Sequence, residues 1–215
     1  MKSPSKTSTR VDIADALKML KKDKKFAAIA KRLPMPLLTY SANAFRPLAR
    51  AIIHQQLSGK AAATIEGRFI ALYAPKKYPT PEDVLKTPIA SLRAVGLSGQ
   101  KVGYMHDLAT KFIDKSVNPK HFHKMEDAEI SAHVLLVKGI GQWTADMFLI
   151  FALNRPNVLP VGDLGIQKGA QIYFGLKQLP KPEHLRKLAA PYDGNHTVFA
   201  LYMWRLADEA KTKKK

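Results

Sequence analysis

The sequence predicts an all-α protein of about ten helices, and three observations carry that reading. Apolar residues recur along most of the chain with the helical period of about 3.6, not the strand period of about 2. Capping residues, several with a proline directly behind them, stand in front of those runs. Strand signals are scarce: Val158-Leu159-Pro160-Val161 is short and proline-broken, too little to build a sheet. No internal repeat is present.

Residues 1–10 read as a disordered basic arm, 11–210 as the folded domain and 211–215 as a basic tail. The first helix is marked by Ile13, Ala16, Leu17 and Leu20, with Thr9 and Asp12 resembling a capping pair. Asp23 is placed to cap a second helix carrying Phe26, Ile29 and Ala30, after which Pro34 and Pro36 force an extended connection. Leu48, Ile52 and Ile53 make the apolar face of a third helix, broken at Ser58-Gly59, and Ser58 can cap a fourth reaching about Tyr73. The tip between them, Gln55-Gln56-Leu57-Ser58 followed by Lys60, offers hydrogen bonds without fixed negative charge. Taken alone, it reads as an ordinary exposed turn.

Thr80-Pro81 and Thr87-Pro88 look like two helix starts, each a capping residue followed by proline at the first helical position. Ser98 caps a helix bearing Val102, Met105, Leu108, Phe112 and Ile113. His106 and Asp107 on it have no nucleophile beside them and read as surface residues. A helix over 126–137 with Ile130, Val134 and Val137 inward leads to the turn Gly139-Ile140-Gly141. From Trp143 to Leu153 the chain is nearly all apolar, as in a helix buried on most faces, and Asn154-Arg155-Pro156 ends it. Asp163 stands at the start of the next helix. Pro180 and Pro182 introduce the penultimate one, and Asn195 or His196 opens the last, with Phe199, Met203, Trp204 and Leu206.

Composition narrows the function classes. With 215 residues and 46% hydrophobic content, a sizeable core is available. There are no cysteines, which excludes disulfides, thiol nucleophiles and iron–sulfur clusters, and the expectation is a cytoplasmic or nucleoid-associated protein. No apolar run reaches the roughly 18 residues of a membrane span, and the N-terminal stretch lacks the apolar segment of a secretory signal. Of the net charge of +18, a surplus of seven lies in residues 1–32 and four in the last five residues. The body keeps the other seven, and a basic body favours a polyanionic partner, usually nucleic acid.

The chemistry concentrates between Leu135 and Asp163. Two glycines around Ile140, set between helical segments, allow a tight turn whose backbone N–H groups point outward at the start of the next helix. Such a nest binds a phosphate without reading the base. By itself a Gly-x-Gly turn is weak evidence. The run Gly139-Ile140-Gly141-Gln142-Trp143-Thr144-Ala145, the later Pro160-Val161-Gly162-Asp163-Leu164-Gly165-Ile166, Arg50 to Ser58 and Gly96-Leu97-Ser98 occur in the right order. With them the chain resembles the helix-hairpin-helix DNA glycosylase superfamily, and within it the 3-methyladenine DNA glycosylase II family, from about Phe45 to Trp204.

The resemblance implies a two-lobed helical fold, with the hairpin at 137–142 and the active site in the cleft between lobes. It assigns Asp163 as the catalytic aspartate, Trp143 and Trp204 as pocket aromatics, and Lys138, Gly139, Ile140 and Gly141 as the phosphate grip. The carbonyls of Leu135, Val137 and Ile140 match positions that hold a structural monovalent cation, Na+ or K+; no other cofactor is required. Gln55, Gln56, Leu57 and Ser58, with Lys60 nearby, match the loop that fills the gap left by a flipped nucleotide. Met147 stands in the pocket where some members have tyrosine, and Gly162 where a second acidic residue is frequent. The chain lacks the extra N-terminal β-rich region of longer members. Trp143 also stands where related glycosylase/lyases carry a Schiff-base lysine, so a monofunctional, hydrolytic enzyme is expected.

The implied partner is double-stranded DNA containing alkylated bases, met by a monomer. A purine alkylated at N3 or N7 is a cationic leaving group. The enzyme then needs to extrude it, stack it on indoles and stabilise the positive sugar with a carboxylate. The alternatives are a helix N-cap role for Asp163, a core role for Trp143, and a non-catalytic helix-hairpin-helix protein that binds DNA or abasic sites structurally.

Overall fold

Twelve α-helices, two 3-10 turns and one π-helical turn make up the regular structure of the computed structural model, which describes residues 10–35 and 37–213. Among the described residues there is no strand, and no helix is long and apolar enough to cross a membrane. The helices are α1 (Ile13–Leu20), α2 (Lys24–Arg32), α3 (Phe45–His54), α4 (Gly59–Ala71), α5 (Pro81–Lys86) and α6 (Ile89–Ala94). They continue as α7 (Gly99–Ile113), α8 (Asp127–Leu135), α9 (Gln142–Met147), α10 (Leu164–Phe174), α11 (Pro182–Ala189) and α12 (His196–Thr212). The chain divides into two compact units, one of residues 1–40 with 149–215 and the other of 41–148.

In the first unit, α1, α2, α10, α11 and α12 enclose a core of Leu20, Phe26, Ile166, Tyr173, Leu185, Phe199, Tyr202 and Met203. Its tightest approach is between α10 and α12. A Cβ on Gly169 would lie 1.9 Å from the Met203 carbonyl oxygen, so only glycine lets these backbones meet. Asp23 fastens a second joint. One carboxylate oxygen caps α2 through the N–H groups of Lys25 and Phe26, and the other accepts from the hydroxyls of Tyr173 at 2.5 Å and Tyr192 at 2.6 Å. Burial works against that charge, but the two hydroxyls and two N–H groups outweigh it and hold the Asp23 pKa below its usual value. The same burial and the carboxylate push the Tyr192 phenol up to about 12.

In the second unit, α7 is the central helix, packed on α3, α5 and α6. It buries Val102, Met105, Leu108 and Ala109, while Ile113 at its end is exposed. Its start at Ser98, α4's at Ser58 and α5's at Thr80 follow the sequence signals, the last as a full capping box with Asp83.

Four expectations need correction. Thr87 does not cap α6: it closes α5, and Pro88 itself is the N-cap of α6, because the short spacing leaves one residue to serve both ends. Asp12 is the N-cap of α1, accepting from the Asp15 N–H, while Thr9, its expected partner, lies outside the described residues, as do Pro36 and residues 1–9 of the basic arm. The basic tail begins later than expected, since α12 continues through Thr212; Lys214 and Lys215 lie outside the described residues. The apolar run 143–153 is not one regular helix. α9 ends at Met147 and passes into a π-helical turn, Phe148–Ala152, a feature that turns side chains off the α-helical register and is frequent at functional sites.

Candidate active site

In the first unit, the loop from Asn154 to Gly162 delivers Asp163 to the start of α10. Thr197, fully buried, holds this loop: its hydroxyl donates to the Arg155 carbonyl and accepts the Val158 N–H, and its own N–H donates to the Pro156 carbonyl at 3.0 Å. The Gln167 side chain donates to the Val161 carbonyl at 2.8 Å and pins the last turn. Asp163 then caps α10, its Oδ1 accepting from the Ile166 N–H at 2.9 Å. The same oxygen accepts from the indole Nε1 of Trp204 at 2.7 Å. The carboxylate is thus half-buried and gripped from two directions, by a helix start and by an aromatic from α12.

Glycine makes the second grip feasible. A Cβ on Gly165 would stand 2.7 Å from Trp204 Cδ1 and 3.0 Å from Asp163 Oδ1, so a larger residue would push the indole off the carboxylate. Gly165 and Gly169 lie one helical turn apart on α10, and together they let α12 close on it. On its other side the Trp204 indole stacks on Phe151, with ring centroids 5.8 Å apart and planes 26° apart. Phe151 leaves 44% of its surface exposed. Sequence reasoning missed it because it lay inside an apolar run read as core; it is the exposed residue of a π-helical turn whose other side chains are buried. To the pocket role expected of Trp204 the structure adds a second contact, the indole N–H bonded to the carboxylate.

In the second unit, Gly139 and Gly141 play different parts. Gly139 has φ of +81°, and a Cβ there would lie 2.2 Å from the Tyr104 ring, so both conformation and contact demand glycine. Gly141 is in ordinary extended conformation as the N-cap of α9, and nothing lies within 4 Å of where its Cβ would be. The expectation that all of the turn's N–H groups point outward is corrected. The Lys138 N–H is turned in to Asp107 Oδ2 at 2.8 Å, and the Ile140 N–H to the Val137 carbonyl at 3.1 Å. Asp107 is therefore no surface bystander. It is mostly buried and also faces Lys111 at 3.6 Å. His106 is half-buried, with its Nε2 enclosed.

The 55–58 loop meets this turn directly. Gln55 Nε2 donates to the Gly139 carbonyl at 2.8 Å. Lys101 reaches up from α7 and donates to the carbonyls of Ile53 and Gln55 at 2.7 and 2.8 Å, closing the C-terminal end of α3. Partial burial lowers the Lys101 pKa. Ser58 caps α4 through the Ala61 N–H at 3.4 Å. Gln56, at φ of +55°, and Leu57, 39% exposed, form the tip, and Lys60 is exposed on the first turn of α4. Trp143 is 55% exposed, which answers the core alternative, and Met147 is half-buried on the same short helix. Val137 and Ile140 are buried, while Leu135 is exposed at the last turn of α8.

Against known proteins, residues 49–192 match the family described as "HhH-GPD superfamily base excision DNA repair protein". The chain belongs to that superfamily. It is 29% identical to the alkylbase DNA glycosidase-like protein mag2 of Schizosaccharomyces pombe over 86% of this chain and 88% of that one. It is 33% identical to DNA-3-methyladenine glycosylase 1 of the same yeast, over 78% of this chain and 75% of the relative. Among solved structures, a DNA-3-methyladenine glycosidase from Bacillus halodurans superposes with a TM-score of 0.85 at 28% identity, covering 94% of this chain and 93% of that one. The 3-methyladenine DNA glycosylase of S. pombe, solved in complex with abasic DNA, gives 0.77 at 28% identity over 89% and 95%.

Proposed function

We propose that the protein is a monofunctional DNA glycosylase of base excision repair that hydrolyses the N-glycosidic bond of alkylated purines of the 3-methyladenine and 7-methylguanine type. The observation that carries this reading is the Asp163 carboxylate fixed between the start of α10 and the Trp204 indole. Family membership and the names of the relatives support it. An N3- or N7-alkylated purine leaves as a neutral base, so the group most needed is a negative charge beside the sugar as its C1′ becomes cationic. Two N–H donors on one oxygen hold Asp163 in a single orientation for that task, and the carboxylate can also align the attacking water.

Within the first unit, the Phe151–Trp204 stack offers a π face to a flipped, electron-poor ring, and in the second the exposed Trp143 indole has the same capacity. No lysine occupies the position of Trp143, which favours water over an amine as the nucleophile. The hairpin and the 55–58 loop serve the DNA. With Gln55 committed to the Gly139 carbonyl and Ser58 to its helix cap, Gln56 and Leu57 are the residues we assign to the gap left by the extruded nucleotide. The carbonyl oxygens of Leu135, Val137 and Ile140, at and after the C-terminal end of α8, would hold a monovalent cation, which would supply positive charge for an anionic partner.

The test is Asp163→Asn. Base release under single-turnover conditions falls by about 10³-fold, the scale of losing one preorganised electrostatic group, while affinity for a duplex with an abasic-site analogue stays within about threefold. Full activity in that variant would refute the role of Asp163.

A further inference from the structure

We infer that Asp107 is a positioning residue for the DNA grip: its carboxylate holds the Lys138 N–H and thereby locks the Gly139 turn, seated on Tyr104 and tied to Gln55, into its DNA-binding conformation before DNA arrives. The inference rests on the reading of the hairpin as a DNA contact, but not on base excision.

The placement of one helix carries the argument. Gln100, Tyr104, Asp107 and Lys111 succeed one another along one face of α7. Gln100 Nε2 donates to the Tyr104 hydroxyl at 2.6 Å, which fixes the ring that underlies Gly139. Asp107 takes the Lys138 N–H at 2.8 Å on one oxygen and faces Lys111 at 3.6 Å with the other. Next to this face, Lys101 closes the end of α3, from which Gln55 reaches the Gly139 carbonyl. The residues flanking and forming the bend, Lys138 and Gly139, are thus held at an N–H by Asp107, at a carbonyl by Gln55 and over a ring by Tyr104. The turn and the 55–58 loop share one base.

The sign of the charge makes the inference decisive. A carboxylate close to a phosphate contact repels DNA. If Asp107 mattered only by its charge, every neutral substitution would tighten binding. If it positions the turn, asparagine and alanine part ways. Asparagine removes the charge but keeps an oxygen that can accept the Lys138 N–H; alanine removes both.

The experiment measures affinity for a duplex carrying a tetrahydrofuran abasic-site analogue, with full-length wild type, Asp107→Asn and Asp107→Ala, beside thermal stability and amide exchange at Lys138. Asp107→Asn binds as well as wild type or up to about threefold tighter, with the Lys138 amide still protected. Asp107→Ala binds about tenfold more weakly and loses that protection, while its single-turnover rate at saturation stays within about twofold. Pairing with Gln55→Ala gives losses that do not add, because both side chains hold one turn. Two results overturn the inference: both variants tightening alike, which leaves only charge, or both losing stability with affinity of the folded protein unchanged, which leaves only a structural bond. Should Asp107→Ala not fold, Asp107→Ser, too short to reach the N–H, takes its place with the same expected sign. A wild type that binds the duplex but releases no base sinks the proposed function and leaves this inference standing.

Discussion

The two units hold their functional groups by opposite means. Around Asp163 the held object is a side chain, gripped by an indole and a helix start, and brought there by the glycines of α10 that admit α12. Around Gly139 the held object is backbone, gripped by the side chains of Tyr104, Asp107 and Gln55. Under the proposed function, the difference follows from what each part would recognise. A developing charge at one sugar atom needs one carboxylate at a fixed place, whereas a phosphate of any sequence is met by peptide N–H groups. Lesions in the first arrangement are therefore expected to fall on the chemical step, and lesions in the second on binding.

Several substitutions break or sharpen that contrast. Gly169→Ala is the most disruptive, since the added methyl would meet the Met203 backbone; a loss of about 3 kcal/mol or more in denaturant unfolding is expected, with activity lost through displacement of Trp204. Trp204→Phe keeps an aromatic ring against Phe151 but deletes the donor to Asp163. A fall in single-turnover rate of about 30-fold, roughly 2 kcal/mol, with DNA affinity little changed, is the expected signature. Gly141→Ala reads the other region: the chain has room for the methyl, so stability stays within about 0.5 kcal/mol, and a drop in DNA affinity of about tenfold reports an external group approaching that atom. Gly139→Ala, by contrast, destabilises the protein itself.

The smallest effect is a control lying outside both sites. Asp23 has a depressed pKa in the folded state, so its contribution is fully present above the ordinary carboxylate pKa of about 3.9 and is lost as pH falls through the lower folded value. Asp23→Asn accordingly costs about 1 kcal/mol near pH 7, and the gap to wild type closes in acid, measured by thermal unfolding at several pH values. The single-turnover rate and the DNA affinity of the folded protein stay unchanged.

Much of this was legible in the sequence because local physics set it. Asp23, Ser58, Thr80 and Ser98 cap helices where their chemistry places them, and Asp163 caps α10 as its position suggested. What stayed hidden depends on partners distant in sequence. Asp107 looked idle because Lys138, the residue it holds, is 31 positions away. The hold of Trp204 on Asp163 gave no signal, because that bond spans 41 positions. Phe151 was concealed by a π-helical turn that apolar periodicity cannot distinguish from an α-helix. Gly165 and Gly169 gave no signal of their own, since their role exists only once α12 lies across them.

The central claim, that this chain excises alkylated purines by hydrolysis, is tested most directly by chromatography of the free bases released from duplex DNA treated with a methylating agent. The account predicts that the wild-type protein liberates 3-methyladenine or 7-methylguanine, leaves abasic sites with the strand intact, and forms no covalent adduct under borohydride. DNA that is bound with no base released would contradict it, and would make the protein a structural binder of DNA.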